Sequence, residues 1–581
     1  MNPSQPLILR LALLLAAALG VAWAVATPVV RTGDGLEYLY TLQALRDHGT
    51  PDLRPADVAA FSALARPRGF PTGEAYAGFF RARSGKAYCW HFFAYPLAAL
   101  PAKALLGALG GDELRALQVT NVLALSALAW LLLAWRGWRA ARRERLAFSA
   151  LVLGSPILLY VPWTHPEVFT AALVAAALVL VDAGRPTLAA ATAAVAAMQN
   201  PPLVALAGWI AVTHPRPRVI AAAALALAPA AVSMVLFGTP SLIVAEGAAG
   251  FGFVTLTRAW DVFADVQQGL VAWVPLTLVL SLGRVVRAPT RGAHAELGLG
   301  LAWLAAAVLA TTTANWNAGS AGLMRYGTWM IPMVAWLAHR ARPRWIVVAV
   351  SVQLSLVALG SPREACCRET ALARWAYAHA PLVYSPDPEV FAERRTGRED
   401  PPEDALPLPF IRPDGTIPKL LTSRSRLAEA TEWYDAEVGL GAALSREAAG
   451  RSGAFFLHPP PGTLRAVGLG ARTPADLAGL IALSVLDTRR DGLEAVLAVV
   501  VRNRTRQRLH AEDATGRRHI RLVAWTEAMR SAEPLPPMLA PGASVLMHVR
   551  ITAPPGAPVR LGVALDGLPG ELPATAGATA P

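Results

Sequence analysis

The sequence predicts a polytopic α-helical membrane domain followed by an extracytoplasmic, mainly-β domain. Three observations predict it. The 581 residues are 54% hydrophobic and only 16% charged, well under the roughly 25% charged of a soluble domain. Apolar segments recur as far as Leu359, and beyond Gly360 charge and turn residues take over. As far as Gly360 there are 27 Lys+Arg against 15 Asp+Glu, and after it 26 against 25, so the net charge of +13 belongs almost wholly to the apolar part. These arginines stand in short runs between apolar segments, where anionic headgroups explain them, and nucleic-acid binding is not expected.

Taken in order, Leu7 to Ala26, extended by Thr27 to Val30, is long enough at about 1.5 Å per residue to cross a bilayer. Ala24-Val25-Ala26 also fits a signal-peptidase site, and in either case Arg31 emerges outside. Further apolar segments run Leu114 to Trp135, Leu146 to Trp163, Val168 to Val181, Thr187 to Val212, Val219 to Phe237, Gly269 to Leu282, Leu297 to Ala310, Tyr326 to Ala338 and Trp345 to Leu359. The basic runs Arg136 to Arg145, Pro215 to Arg218, Arg284 to Arg291 and His339 to Arg344 are placed in the cytoplasm by the positive-inside rule. That placement makes Phe92 to Leu109 a re-entrant or interfacial helix rather than a crossing. It also makes Thr187 to Val212, interrupted at Gln199-Asn200-Pro201-Pro202, a hairpin of two half-length helices. The count is roughly 10 to 11 spans over residues 1–360.

The first external loop, residues 31–113, carries its own pattern. Leu36, Leu39, Tyr40, Leu42 and Leu45 recur at helix spacing after Asp34, and Gly49 stops the run, so an amphipathic helix is expected on the membrane surface or roofing a cavity. Residues 361–461 read as an external linker with a mixed, unassigned stretch from Arg412 to Gly453. In residues 462–571, Leu493 to Arg502, His519 to Thr526, Ser544 to Thr552 and Val559 to Leu565 read as strands, and their spacing suggests a β-sandwich. Residues 572–581 read as a disordered tail. Cys89, Cys366 and Cys367 exclude a disulfide framework and a CxxC metal site. A bridge from Cys89 to one of the pair and three free thiols are both compatible with an external location.

Several residues could carry chemistry. Asp34, beside Gly33 and Gly35 just outside the first span, is placed to act as general base on an acceptor hydroxyl. Its structural alternative is an N-cap, with Glu37 completing a capping box; Glu37 could equally orient Asp34 or share a divalent ion with it. The stretch Arg81 to His91 gathers Arg81, Arg83 and Lys86 with Tyr88, Trp90 and His91. It suits either the phosphate of a lipid carrier or plain headgroup binding. His165 and Glu167, in Thr164-His165-Pro166-Glu167, lie at the external end of a span, where turn and cap chemistry competes with a functional role. Arg325-Tyr326 opens a span after an external loop, and a lone Arg there would reach a phosphate at headgroup depth or simply snorkel. No P-loop, GxGxxG after a strand, HExxH or GxSxG elbow stands in a credible context.

One span, an external loop opening with Asp34 on a helix, the Gly85-Lys86-Ala87-Tyr88 segment leading into a Pro-containing helix, and Arg325-Tyr326 before a late span together resemble the GT-C superfamily of integral-membrane glycosyltransferases. The resemblance covers roughly Leu7 to Leu359 and lies closest to bacterial relatives of the protein O-mannosyltransferase and aminoarabinose-transferase group. It implies inverting sugar transfer from a polyprenyl-phosphate donor to a lipid, glycan or protein acceptor. It further implies Asp34 as the base, and phosphate contacts near Lys86 and Arg325. Gly35 stands where many relatives carry a second acid, so no metal site is assigned, though a divalent ion remains compatible. The implied location is a bacterial inner membrane, multi-pass, with the C-terminal domain outside. That domain, through Val501-Arg502-Asn503, Leu539-Ala540-Pro541-Gly542 and Ala553-Pro554-Pro555-Gly556, resembles β-sandwich modules of bacterial polysaccharide proteins. The competing classes are a non-catalytic polysaccharide-assembly or binding protein and a lipid-linked-sugar transporter; few mid-span charges disfavour the transporter.

Overall fold

The computed structural model describes residues 5–29, 33–70, 72, 76–135, 137–315, 322–360, 369–380, 383–397, 403–449, 453–469, 471, 474–491, 493–513, 519–526, 529–554 and 557–566. The chain divides into two compact units, Met1–Arg368 and Glu369–Pro581. Cys366, Cys367 and the 572–581 tail lie outside the described residues.

The first unit is helical. Among the described residues three helices are long and apolar enough to cross a membrane, Ile8–Ala26, Glu113–Leu133 and Pro217–Phe237. Shorter apolar helices include His294–Ala310 and Pro343–Leu359. Ile8, Leu11, Leu14, Leu15 and Leu19 all point outward from the first helix, a pattern that hydrocarbon solvates and water does not. Glu167–Asp182 is the opposite case. It is buried on nearly every side and packs on the helices Ala116–Leu133 and Pro186–Gln199, so the core of this unit runs along it. The expected break in Thr187 to Val212 occurs: Pro186–Gln199 ends, Pro201–Leu203 forms a 3₁₀ turn, and Val204–Thr213 resumes. Two prolines lacking N–H groups cannot continue the ladder. Leu146 to Trp163 is likewise not one helix. Arg142–Leu153 stops at Gly154, and the Ser155 hydroxyl caps a 3₁₀ turn at Pro156–Tyr160.

The first loop departs from expectation in an informative way. The helix Gly35–His48 forms and is closed by Gly49 in the left-handed region, φ 74°, its N–H bonded to the Leu45 carbonyl. Yet Gly35 through Leu45 are all buried, so this helix does not lie on a surface as an amphipathic strip. Glu37 finds partners there in Trp90 and the Cys89 thiol, Gln43 donates to Asp47, and the helix packs against Pro55–Ala65 and Ala94–Ala108. Buried Lys103 reaches Glu113 at 3.3 Å, and Arg46 reaches the same carboxylate at 2.6 Å, joining the two helices to the start of the Glu113–Leu133 segment. A three-stranded antiparallel sheet of Asp52–Leu53, Ala87–Cys89 and Phe79–Arg81 completes the loop.

The second unit is strand-rich. Glu494–Asn503 pairs with Ile481–Asp491 on one side and Ser544–Thr552 on the other, all antiparallel. Ile520–Trp525 pairs with Arg530–Pro534 and Arg560–Leu565 in a second antiparallel sheet. Alternate residues Ala495, Leu497, Val499 and Val501 enter the same core as Ile520, Leu522, Leu561 and Val563. The span 361–461 is not a linker where described. Leu408–Phe410, Lys419–Ser423 and Ala454–Leu457 form a sheet of their own, and Ile417, Leu420, Tyr434 and Leu444 join the shared core. Leu497 is fully buried and flanked by strands on both sides. Leu497→Ala should therefore lower the stability of this unit by about 2 to 5 kcal/mol in a urea titration of the full chain. A loss within about 0.5 kcal/mol, the level of a surface change, contradicts that packing.

Candidate active site at the first loop

Four separate stretches of sequence meet at Asp34. The helix starting at Gly35 brings Asp34 and Glu37, the sheet strand ending at Cys89 brings Trp90 and His91, the turn before Glu167–Asp182 brings His165 and Glu167, and Arg325 opens its own helical turn. Arg325 Nη2 donates to Asp34 Oδ2 at 3.4 Å, and its Nη1 lies 2.6 Å from His165 Nδ1. Guanidinium nitrogens only donate, so His165 Nδ1 is the acceptor and its ring proton resides on Nε2. Arg325 Nε lies 3.9 Å from Glu167 Oε1. On the other side, His91 Nε2 is 3.5 Å from Asp34 Oδ2 and 3.5 Å from Glu37 Oε2. Glu37 Oε2 also accepts from Trp90 Nε1 at 2.9 Å and from the Cys89 thiol at 3.4 Å.

The expected capping box is absent. Asp34 occupies the N-cap position without a side-chain cap bond, because its carboxylate is drawn to Arg325 and His91 while Glu37 turns to Trp90 and Cys89. Charge-assisted partners outweigh a neutral backbone N–H. Two glycines make the close approach possible. An added Cβ at Gly35 would overlap the Thr164 hydroxyl, and one at Gly78, where φ is 71°, would overlap the Glu37 carboxylate. A second acid directly after Asp34 therefore has no room here, and Glu37 and Glu167 supply the extra carboxylates from elsewhere.

Around this cluster is a rigid frame that the sequence reading missed. Asn121 Nδ2 donates to the Trp163 carbonyl at 3.0 Å, fixing the turn that carries His165, and Tyr95 donates to Asn121 Oδ1 at 3.0 Å. Tyr38 packs its ring against His91, Tyr95 and His165. Asn121, Gln118 and Thr120 in an otherwise apolar segment were the available signal. Not every expected residue converges. Lys86 is half exposed and ion-pairs with Asp52 at 3.6 Å. Tyr88 lines a neighbouring cavity, edge-on to Phe237. Tyr326 packs beside Trp329. Among the described residues Cys89 has no disulfide partner.

Asp34 and His91 keep partial exposure, whereas Arg325, His165, Glu167 and Glu37 are buried. His91, Trp90 and Cys89 also line a cavity of about 500 Å³ whose other walls are largely apolar, among them Phe92, Leu236 and Ile243. The electrostatics separate the two acids. Burial acts to raise Asp34, but His91 and Arg325 outweigh it and hold this carboxyl far below the usual carboxylate range. Burial lifts Glu37 to about 7; His91 opposes the rise and Asp34 adds to it. Burial acts to lower His91, but Asp34 and Glu37 prevail and raise it above an ordinary imidazole. Two acids pushed apart in this way can hold one charge and one exchangeable proton.

Asp34, Glu37 and His91 each offer a ligand atom, all within 4.8 Å of one another. Two carboxylates and one imidazole fit a divalent cation of the manganese or zinc type. Such an ion would take the place of the proton that His91 holds between the acids. Glu167 Oε2 and Thr164 Oγ1, both buried, have no hydrogen-bond partner among the described residues. Comparisons with protein-family models, curated proteins and solved structures returned no match.

Glu37 ionises near 4.5 when unfolded and near 7 when folded, so the stability it contributes is full below about 4.5 and is lost as pH rises through about 7. Glu37→Gln should flatten the fall in melting temperature between those limits, and an unchanged slope contradicts the assignment. Gly35→Ala should cost about 1 to 3 kcal/mol by overpacking against Thr164. A melting temperature equal to wild type shows that the approach is looser than described.

Proposed function

We propose that the chain is a membrane glycosyltransferase that moves a sugar from a polyprenyl-phosphate donor to an extracytoplasmic acceptor with inversion at the anomeric carbon. The observation that carries this reading is the contact between a polar, charge-ordered cluster and a largely apolar cavity along Cys89, Trp90 and His91. A lipid-linked sugar needs both: an apolar chamber for the isoprenoid and charged groups where the glycosyl phosphate ends.

In this reading Asp34, ionised and oriented by Arg325, takes the acceptor hydroxyl's proton as its oxygen bonds to the anomeric carbon. The bond from that carbon to the phosphate oxygen breaks, and the electron pair leaves with the phosphate. His91, at the cavity wall and with raised proton affinity, faces the departing charge. Arg325 is engaged by Asp34 and His165 and buried, which supports a positioning role in place of the expected phosphate contact. Glu37 exchanges protons near neutral pH and returns the cluster to its starting state. A divalent ion on Asp34, Glu37 and His91 would supply additional positive charge. The reading includes roughly 10 to 11 crossings and an external β-sandwich unit; the apolar helices and the paired sheets with a common core support them.

Asp34→Asn in membranes, assayed for transfer from polyprenyl-phosphate sugars with expression matched to wild type, should lose about 10² to 10⁴ in rate. Retained turnover removes Asp34 from the chemistry, and a wild type inert with every donor favours a binding protein.

A further inference from the structure

A second cavity, of about 440 Å³, lies at the other end of the helical run that Arg325 begins. From Arg325 to Arg340 is fifteen residues, roughly 20 Å along a helix axis. One wall is a single face of the helix Pro275–Arg287, where Leu280, Gly283, Arg284 and Arg287 recur at helical spacing. Arg291 closes that side, and Arg340, Arg342 and Trp345 form the other.

Five arginines around one cavity repel one another unless anions neutralise them, and the carboxylates at hand suffice for two. Glu296 binds Arg284 through two contacts, of 2.5 and 2.6 Å, and also reaches Arg340 at 3.6 Å, while Glu144 pairs with Arg340 at 3.6 Å. For Arg287, Arg291 and Arg342 the described residues offer no carboxylate within ion-pair distance. The helices beside the cavity leave Val279, Val286 and Val347 largely exposed, side chains that acyl chains solvate and water does not.

We propose that this cavity binds the headgroup of an anionic phospholipid, its phosphate held by Arg287, Arg291 and Arg342 and its acyl chains laid along Val279, Val286 and Val347. Guanidinium forks match phosphate oxygens in pairs, and Leu280, Leu337 and Trp345 give the glycerol end an apolar wall. The site is remote from Asp34 and does not depend on the transferase reading. Gly283 supplies an independent handle, since a side chain there meets nothing within 4 Å and would project into open space.

The test uses the full-length protein in detergent, stripped of lipid and returned to phosphatidylglycerol or phosphatidylcholine, with adducts counted by native mass spectrometry. Wild type should bind phosphatidylglycerol at least about fivefold more than phosphatidylcholine, each arginine near the headgroup being worth about 1 kcal/mol. The triple variant Arg287→Gln, Arg291→Gln, Arg342→Gln should lose that preference. Gly283→Leu, which keeps every charge, should lose it too by filling the cavity, with the melting temperature of the stripped protein confirming that both variants fold. Equal binding of the two lipids, or a triple variant that binds like wild type, overturns the proposal. So does thermal protection by inorganic phosphate that equals that of phosphatidylglycerol, because the site is then one for a free anion.

Discussion

The first unit depends on what surrounds Arg325. A guanidinium cannot shed its charge by losing a proton, so once buried it must be met by acids and acceptors. Asp34 and Glu167 supply the negative charge and His165 supplies a neutral acceptor, three partners from two sequence regions well apart from residue 325. The start of the first-loop helix, the turn before Glu167–Asp182 and the entry to the helix Ile331–Ala338 are therefore fixed relative to one another. Replacing this centre with apolar groups would cost the fold little if the shapes matched. Removing one partner would leave a buried charge uncompensated.

That constraint also explains the division of labour among the acids. With Arg325 and His91 on either side, Asp34 stays ionised, whereas Glu37, deeper and beside Asp34's own charge, holds its proton to about 7. His91 touches both acids and lines the largely apolar cavity, so the charged cluster and the cavity adjoin at this ring. The carboxylate pair and imidazole suit a cation or a shared proton equally well by geometry. Either choice leaves the Asp34–Arg325 contact in place.

Much of the architecture was legible because local rules act without help from the rest of the chain. The Pro201-Pro202 break, the Gly49 stop and the strand Ser544–Thr552 all appear where residue chemistry puts them. The candidate acids and Arg325 were legible too, as ionisable residues at the ends of apolar segments. What escaped depended on tertiary partners. The helix Gly35–His48 carries a surface-like pattern and is buried regardless, because the helices Pro55–Ala65 and Ala94–Ala108 pack on it and Trp90 and Cys89 meet Glu37. The strand Arg530–Pro534 and the second half of Ile481–Asp491 are too polar to announce themselves, and sheet partners hold them. Lys86 looked like a phosphate ligand, but Asp52, on the strand paired directly with Ala87–Cys89, draws it into an ion pair.

Buried Arg325 and partly exposed Asp34 form one coupled unit, and a double-mutant cycle on thermal or chemical stability tests that coupling most directly. Breaking the pair from either side should be costly, by about 3 to 5 kcal/mol, while Asp34→Asn with Arg325→Gln should cost clearly less than the sum of the two. Coupling above about 1 kcal/mol is the predicted result. Additivity within about 0.5 kcal/mol would contradict it, because two groups that do not sense each other cannot organise a common site.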